Sequence, residues 1–306
     1  MADDSLSVAV VAICGLPQLG RCLDALAAQR NAPDFDVVVA ADPGLGDLAQ
    51  IRLRYPAATL LAREECRTPV ALAAMALEAC RGSRILLTED SCVAHPSWVA
   101  TLAATPWEGR GAVGGLVEPG EDVSPAGWAF CYVDFFRYMR PAAEGPTPSL
   151  SVCNVAYHRS QLAAIAPVWE SGFLEPEVHD QLRKRFGDLW LAPDAEVRVR
   201  RNVRFRDAVY ERYAFGRLFG ATRVRNLSFP RRLLHALLAP ALPALLLGRL
   251  AAKAIAGGHT GARFIPALPA LVALVLAWSW GEGLGYLTGR RPARMTTAPE
   301  LAGQVS

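Results

Sequence analysis

The 306 residues are 52% hydrophobic, enough to bury a sizeable core in one large domain or two modest ones. The small net charge of +3 hides an imbalance: Met1–Val197 holds 15 basic and 25 acidic residues, Arg198–Ser306 holds 17 and 4. Basic charge beside apolar segments suits an anionic membrane surface, and the absence of any zinc-finger spacing or aromatic stacking motif argues against nucleic acid as a partner. Seven scattered cysteines without a CxxC argue against a disulfide framework and for reduced thiols in the cytosol. The acidic start MADDSLSVAV lacks the positive region of a secretory signal, so a catalytic part, if the chain has one, is expected in the cytoplasm.

In chain order, Ser7–Cys14 (SVAVVAIC) predicts a buried strand, and Pro17–Gln29 a helix with Leu19, Leu23 and Leu26 at helical spacing. Asp36–Ala41 predicts a second strand ending at the turn Asp42-Pro43-Gly44, Asp47–Tyr55 a short helix and Thr59–Ala62 a third strand. Thr68 is placed to cap a helix over Pro69–Cys80, with Gly82 as its stop. Arg84–Thr88 predicts a strand that delivers Glu89 and Asp90 to its tip, and a helix is expected from Pro96. This β-α-β-α-β rhythm implies a mostly parallel sheet flanked by helices. Such sheets bind ligands at the carboxyl ends of their strands, where Asp42, Glu89 and Asp90 fall.

Further on, Gly114-Gly115 suggests close backbone approach, Asp134–Tyr138 is aromatic-rich, and Pro141–Pro148 reads as a surface loop. Ser151–Tyr157 predicts a strand and Pro176–Phe186 a helix closed by Gly187; two short strands follow at Leu189–Ala192 and Glu196–Arg200. Eleven arginines lie between Arg198 and Arg232, and they form a basic collar before two apolar segments, Leu233–Leu247 and Phe264–Leu287. The second is long enough to span a bilayer. The first either spans or lies in the interface, with Pro240 and Pro243 kinking it. A membrane hairpin with both ends cytoplasmic is expected. The domain expectation is 1–230 an α/β domain, 231–290 membrane-associated and 291–306 a flexible tail.

The series SVAVVAICGLPQLGRCLDALAAQ, DVVVAADPG and PVALAAMALEACRGSRILLTEDSCVAHPSWV resembles the N-terminal half of family-2 glycosyltransferases, and looser likeness extends the match over about Ser7–Arg223. The resemblance implies a GT-A fold, a nucleotide-sugar donor, and a divalent cation, Mg²⁺ or Mn²⁺, held at an acidic D-x-D-type motif. On that pattern Glu89 and Ser91 stand at the two acidic positions with Asp90 between, so Asp90 is expected to take the metal, with Glu89 either a second ligand or turned to the donor's ribose or to backbone. Serine is a weak ligand, and this departs from the family's motif. Asp42 is expected at the base or ribose, and Ile13, Cys14 and Gly15 along the base pocket. Asn154 is expected near the sugar, and Arg217, with Arg212 or Arg223, at a phosphate.

FLEPEVHDQLRKRFG (Phe173–Gly187) resembles the motif that supplies the catalytic base of an inverting transfer. Its candidates are Glu177, favoured by its place in a first helical turn, then Glu175 and Asp180, with His179 assisting. The apolar tail and basic collar, added to the family reading, suggest a membrane-associated enzyme acting on a glycan or lipid-linked acceptor, or a tail that serves only as an anchor. The chain has too few spans for a processive synthase unless a membrane protein partner or a second copy supplies the rest. The residues Ala41, Ser91 and Pro176 depart from the family pattern and support an alternative: a degenerate relative that binds a nucleotide sugar or a partner protein without turnover.

Overall fold

A computed structural model describes residues 5–200, 204–225 and 227–290; the segment 291–306, expected as a tail, lies outside them. The described residues form two compact units. The first holds 5–120 and 137–200, and the second holds Glu121–Phe136 with the described part of 204–290.

In the first unit, β1 (Leu6–Ala12), β2 (Phe35–Ala41) and β4 (Arg84–Glu89) are the apolar runs expected from sequence. Helices α1 (Leu16–Ala27), α2 (Leu48–Arg54) and α3 (Pro69–Ala79) and the short strand β3 (Thr59–Leu61) alternate with them. The Thr68 hydroxyl accepts from the Ala71 amide at 3.3 Å, the cap that the sequence predicts. Then come β5 (Cys92–Ala94), α4 (Trp98–Ala104), β6 (Arg110–Pro119), and, in the second unit, α5 (Pro125–Phe135). The first unit closes with β7 (Gly145–Thr147), β8 (Asn154–His158), α6 (Arg159–Ala164), α7 (Ala166–Trp169), α8 (Glu175–Phe186) and β9 (Asp188–Val199).

Among the described residues the strands form one nine-stranded sheet ordered β3-β2-β1-β4-β8-β6-β9-β5, with β7 on β9. The four strands β3-β2-β1-β4 are parallel. Beyond them the sheet is mixed, because β8 runs antiparallel to β4 and β6. The register sets Ala12 beside Ala41 and Val11 beside Glu89, so three parallel strands end together.

Three expectations are corrected. The helix expected at Pro96 starts at Trp98, whose side chain is fully buried, and the preceding residues form β5 against the end of β9. The strands expected at Leu189–Ala192 and Glu196–Arg200 are one strand, β9, whose pairing with β6 jumps from Gly114–Leu191 to Leu116–Glu196. Inside the loop expected at Pro141–Pro148, Gly145–Thr147 pairs as β7.

The jump in β9 explains the glycine pair. A Cβ on Gly115 would stand 1.7 Å from the Ala195 carbonyl oxygen, so no side chain fits there. Asn154 bridges the opened ladder. Its Nδ2 donates to the Leu116 and Ala195 carbonyls at 2.7 and 2.8 Å, and its Oδ1 accepts from Trp98 Nε1 at 2.8 Å.

The second unit combines α5 with α9 (Phe205–Arg223), α10 (Phe229–Leu238), α11 (Leu242–Ala256) and α12 (Ile265–Thr288). A 3₁₀ turn at Ala239–Ala241 interrupts α10 and α11 where Pro240 falls. The stretches Phe229–Ala256 and Gly261–Thr288 are each long and apolar enough to cross a membrane. Helices α9 and α12 meet backbone to backbone. A Cβ on Gly216 would lie 2.2 Å from the Trp278 carbonyl oxygen, and one on Gly281 would lie 2.1 Å from that of Tyr213. Glu282, buried in α12, accepts from Trp278 Nε1 at 2.7 Å and from the Tyr286 hydroxyl.

Candidate active site

The acids at the strand ends do different work. Asp90, 1% exposed, turns one oxygen to the end of β1. Its Oδ2 accepts from the Ile13 and Cys14 amides at 2.9 and 2.7 Å, while Oδ1 is buried without a hydrogen-bond partner. Burial pushes this carboxyl up to about 7 against those amides, and the neighbouring charge of Glu89 adds to the rise. Asp42, also buried, accepts from the Gly44 amide at 2.7 Å, and the Arg67 guanidinium lies 3.7 Å from the same oxygen. Arg67 went unnoticed in the sequence because nothing in its local spacing marks it; only the fold brings the loop after β3 to the tip of β2. Glu89, half-buried, ends β4.

The segment expected to supply a base reaches the same end of the sheet. Glu175 opens α8, and its Oε2 accepts from the Val152 amide at 2.9 Å, just before β8. Thr88 pairs with Asn154 across β4 and β8, which brings this loop beside Glu89. Burial, helped by the negative charge of Glu89 and opposed by the Val152 amide, raises the Glu175 carboxyl to about 7. About a quarter of the side chain, 26%, still meets solvent, so the group is desolvated yet reachable.

The other candidates separate. Glu177 is exposed on the first turn of α8. Asp180 is held by Lys184 and Arg183, whose hydrogen bonds and charges lower its carboxyl below the usual range. Asn154 is 0% exposed and spends its amide on the sheet. Ser91 is buried and its carbonyl accepts from the Arg200 amide at 2.8 Å. Cys14 is half-buried at the end of β1. Arg217 belongs to α9 in the second unit, where its guanidinium donates to the Tyr213 hydroxyl and the Arg290 carbonyl, each at 3.3 Å. Arg212 is buried there against Asp134 of α5.

Among the described residues no three His, Cys, Asp or Glu side chains cluster to close around a metal ion. A magnesium-type cation asks for less: it is held by one or two carboxylates and completes its shell with water and substrate phosphates. Glu89 and the unpaired Oδ1 of Asp90 fit that requirement.

Parallel strands that end together in acids, flanked by helices and joined by an acid-bearing α8, define a GT-A-type nucleotide-sugar transferase fold. The profile of the glycosyltransferase-like family 2 matches residues 3–164. The chain belongs to that family and is a glycosyltransferase. It is similar to the mannosyltransferase PcManGT from Pyrobaculum calidifontis, solved with GDP-Man and Mn²⁺, at 20% identity and a TM-score of 0.53, over 90% of this chain and 86% of that one. Residues 1–349 of S. aureus TarS align at 16% identity and a TM-score of 0.46, over 72% of this chain and 66% of that one. GalNAc-T7, solved with UDP, GalNAc and Mn²⁺, aligns at 13% and 0.49, over 65% and 44%. No curated protein sequence matches the chain.

Proposed function

We propose that the chain moves a sugar from a nucleotide-sugar donor to an acceptor hydroxyl at a membrane surface, with inversion and with Mg²⁺ or Mn²⁺. The observation that carries this reading is that Glu175, bonded through Oε2 to the Val152 amide just before β8, stands at the end of the sheet where β4 delivers Glu89. The donor would lie over the ends of β1, β2 and β4, against Cys14, Asp42, Arg67 and Glu89. Glu175 is the base: desolvated but reachable, and titrating near 7, it can take the proton of the acceptor hydroxyl as the donor's diphosphate departs. Glu177 and Asp180, one exposed and one engaged by cations, rank behind it. A bound cation would neutralise the departing diphosphate, held by Glu89 with the free oxygen of Asp90. The Mn²⁺ in the archaeal mannosyltransferase supports that choice.

Within the expected catalytic span of 1–230, the active part is proposed to be the first unit, residues 5–120 and 137–200, facing the cytoplasm. Membrane-associated helices would occupy 231–290, with both ends on the same side. The apolar stretches and the arginines of the second unit, Arg217 among them, suit a lipid-linked acceptor and its phosphate. A second reading, donor binding without turnover, draws on Ser91, which stands where a second acid is expected. A panel of nucleotide sugars assayed with detergent-solubilised full-length protein, with and without Mn²⁺, separates the two. Metal-dependent turnover of one donor supports the enzyme; binding with neither transfer nor hydrolysis of any donor overturns it. Membrane fractionation tests the anchor, and a full-length chain that stays soluble without detergent refutes it.

A further inference from the structure

One turn along α8 from Glu175, His179 is 4% exposed, and its Nε2 lies 2.7 Å from the hydroxyl of Tyr157. Tyr157, on β8, is wholly buried, and burial pushes its phenol well above the usual range, so the oxygen keeps its proton. Burial also lowers the imidazole to about 4, so His179 is neutral near pH 7. A neutral imidazole has one donor and one acceptor nitrogen. If Nε2 were the donor, the buried phenol proton would have no acceptor; Tyr157 therefore donates to Nε2, and the ring proton sits on Nδ1. That Nδ1 is buried without a hydrogen-bond partner and stands 3.9 Å from Oε1 of Glu175. The other Glu175 oxygen is already taken by the Val152 amide.

We infer that His179 is a positioning residue for the base, its tautomer set by Tyr157 so that Nδ1–H is aimed at Glu175 Oε1. A small side-chain rotation closes the gap to hydrogen-bonding distance. The carboxylate is then gripped from two sides, by Val152 and His179, and held in one rotamer as the acceptor hydroxyl approaches. Neutrality matters, because a charged imidazolium would hold the proton-accepting form of Glu175 too tightly to serve as a base near pH 7. This inference rests on the assignment of Glu175 as the base.

The test uses full-length protein in detergent, with donor and acceptor varied separately. His179→Leu removes the donor; His179→Asn returns an N–H near the place of Nδ1. His179→Leu is expected to lower kcat about 10–100-fold, the size of a lost hydrogen bond to a charged group, with donor KM unchanged. His179→Asn should recover most of the loss, and Tyr157→Phe should show a smaller fall of the same kind. Wild-type kcat in His179→Leu, or equal losses in the Leu and Asn variants, overturns the positioning role. If His179→Leu does not fold, His179→Asn and Tyr157→Phe decide it: a kcat loss in Tyr157→Phe with near-normal His179→Asn supports it, and any other pattern refutes it. Glu175→Gln, run alongside, keeps the two assignments apart. If it is inactive while the His179 variants are normal, only the positioning role falls; if it is active, the base assignment falls first.

Discussion

Oδ2 of Asp90 lies 2.7 Å from the backbone nitrogen of Cys14, so the acid at the tip of β4 also ties down the end of β1. Asp90→Ala orphans the Ile13 and Cys14 amides. Leaving buried donors unmatched costs about 1–3 kcal/mol each. Urea denaturation is expected to show a loss of that order for Asp90→Ala and a smaller one for Asp90→Asn, which keeps an acceptor. Equal midpoints for wild type and Asp90→Ala would mean the tie contributes nothing.

Glu175→Gln should leave donor affinity nearly intact and lower turnover about 10²–10⁴-fold, the usual share of a general base. Glu177→Gln should stay near wild type. The base works ionised, and its carboxyl is raised to about 7, so turnover should rise with pH through that value. A dead Glu177→Gln beside an active Glu175→Gln would transfer the role to the exposed acid.

The same raised carboxyl works against stability. Its native value of about 7 exceeds the ordinary 4.5, so between those limits the folded state holds more protons than the unfolded one, and stability falls as pH rises. Asp90, raised from 3.8 to about 7, acts in the same direction. His179, lowered from 6.5 to about 4, opposes them below 6.5. Comparing Glu175→Gln with wild type isolates one group. The variant should gain on the order of 1–3 kcal/mol over wild type between pH 4 and pH 8. A pH-independent difference in thermal unfolding would contradict the raised carboxyl.

Gly115→Ala would set a methyl group against the Ala195 carbonyl. That carbonyl is fixed by Asn154, so β9 must move away. A loss of several kcal/mol is expected, in the range of the more severe overpacking substitutions. A variant with a wild-type melting temperature would show that the ladder yields easily.

Cutting the chain at residue 232 removes α11, α12 and all but the first turn of α10, and leaves α5 and α9, which pack on α12 in the second unit. The face of α9 that carries Gly216 and Gly220 would then lie bare in water, and exposed apolar surface of that extent drives association. The shortened chain should therefore aggregate. A monodisperse 1–232 fragment on size-exclusion chromatography would argue that α9 and α5 do not depend on α12.

Much of this was legible because parallel strands buried on both faces read as apolar runs; Val8–Ala12 in β1 and Ile85–Leu87 in β4 are of that kind. Helix α5 went unread because Trp128, Ala129, Phe130, Cys131 and Tyr132 are all buried, which leaves no polar stripe to mark a helical period. The break in β9 hid a continuous strand, since Pro193-Asp194 looks like a turn. In the site, residue type was readable and direction was not. Glu175 and Glu177 differ in surroundings, one facing Val152 and the other solvent, and Arg67 becomes visible only when two loops converge.

The second unit also has an order of manufacture. Its first helix, α5, leaves the ribosome roughly 130 residues before α12 begins. At about 5–20 residues per second that is a wait of roughly 7–26 s. Through that interval Trp128 and Tyr132 exist without His259 and Phe264, the rings that later pack on them just before α12. During synthesis α5 therefore waits, between β6 and β7 in the chain, for partners made seconds after the strands on either side of it.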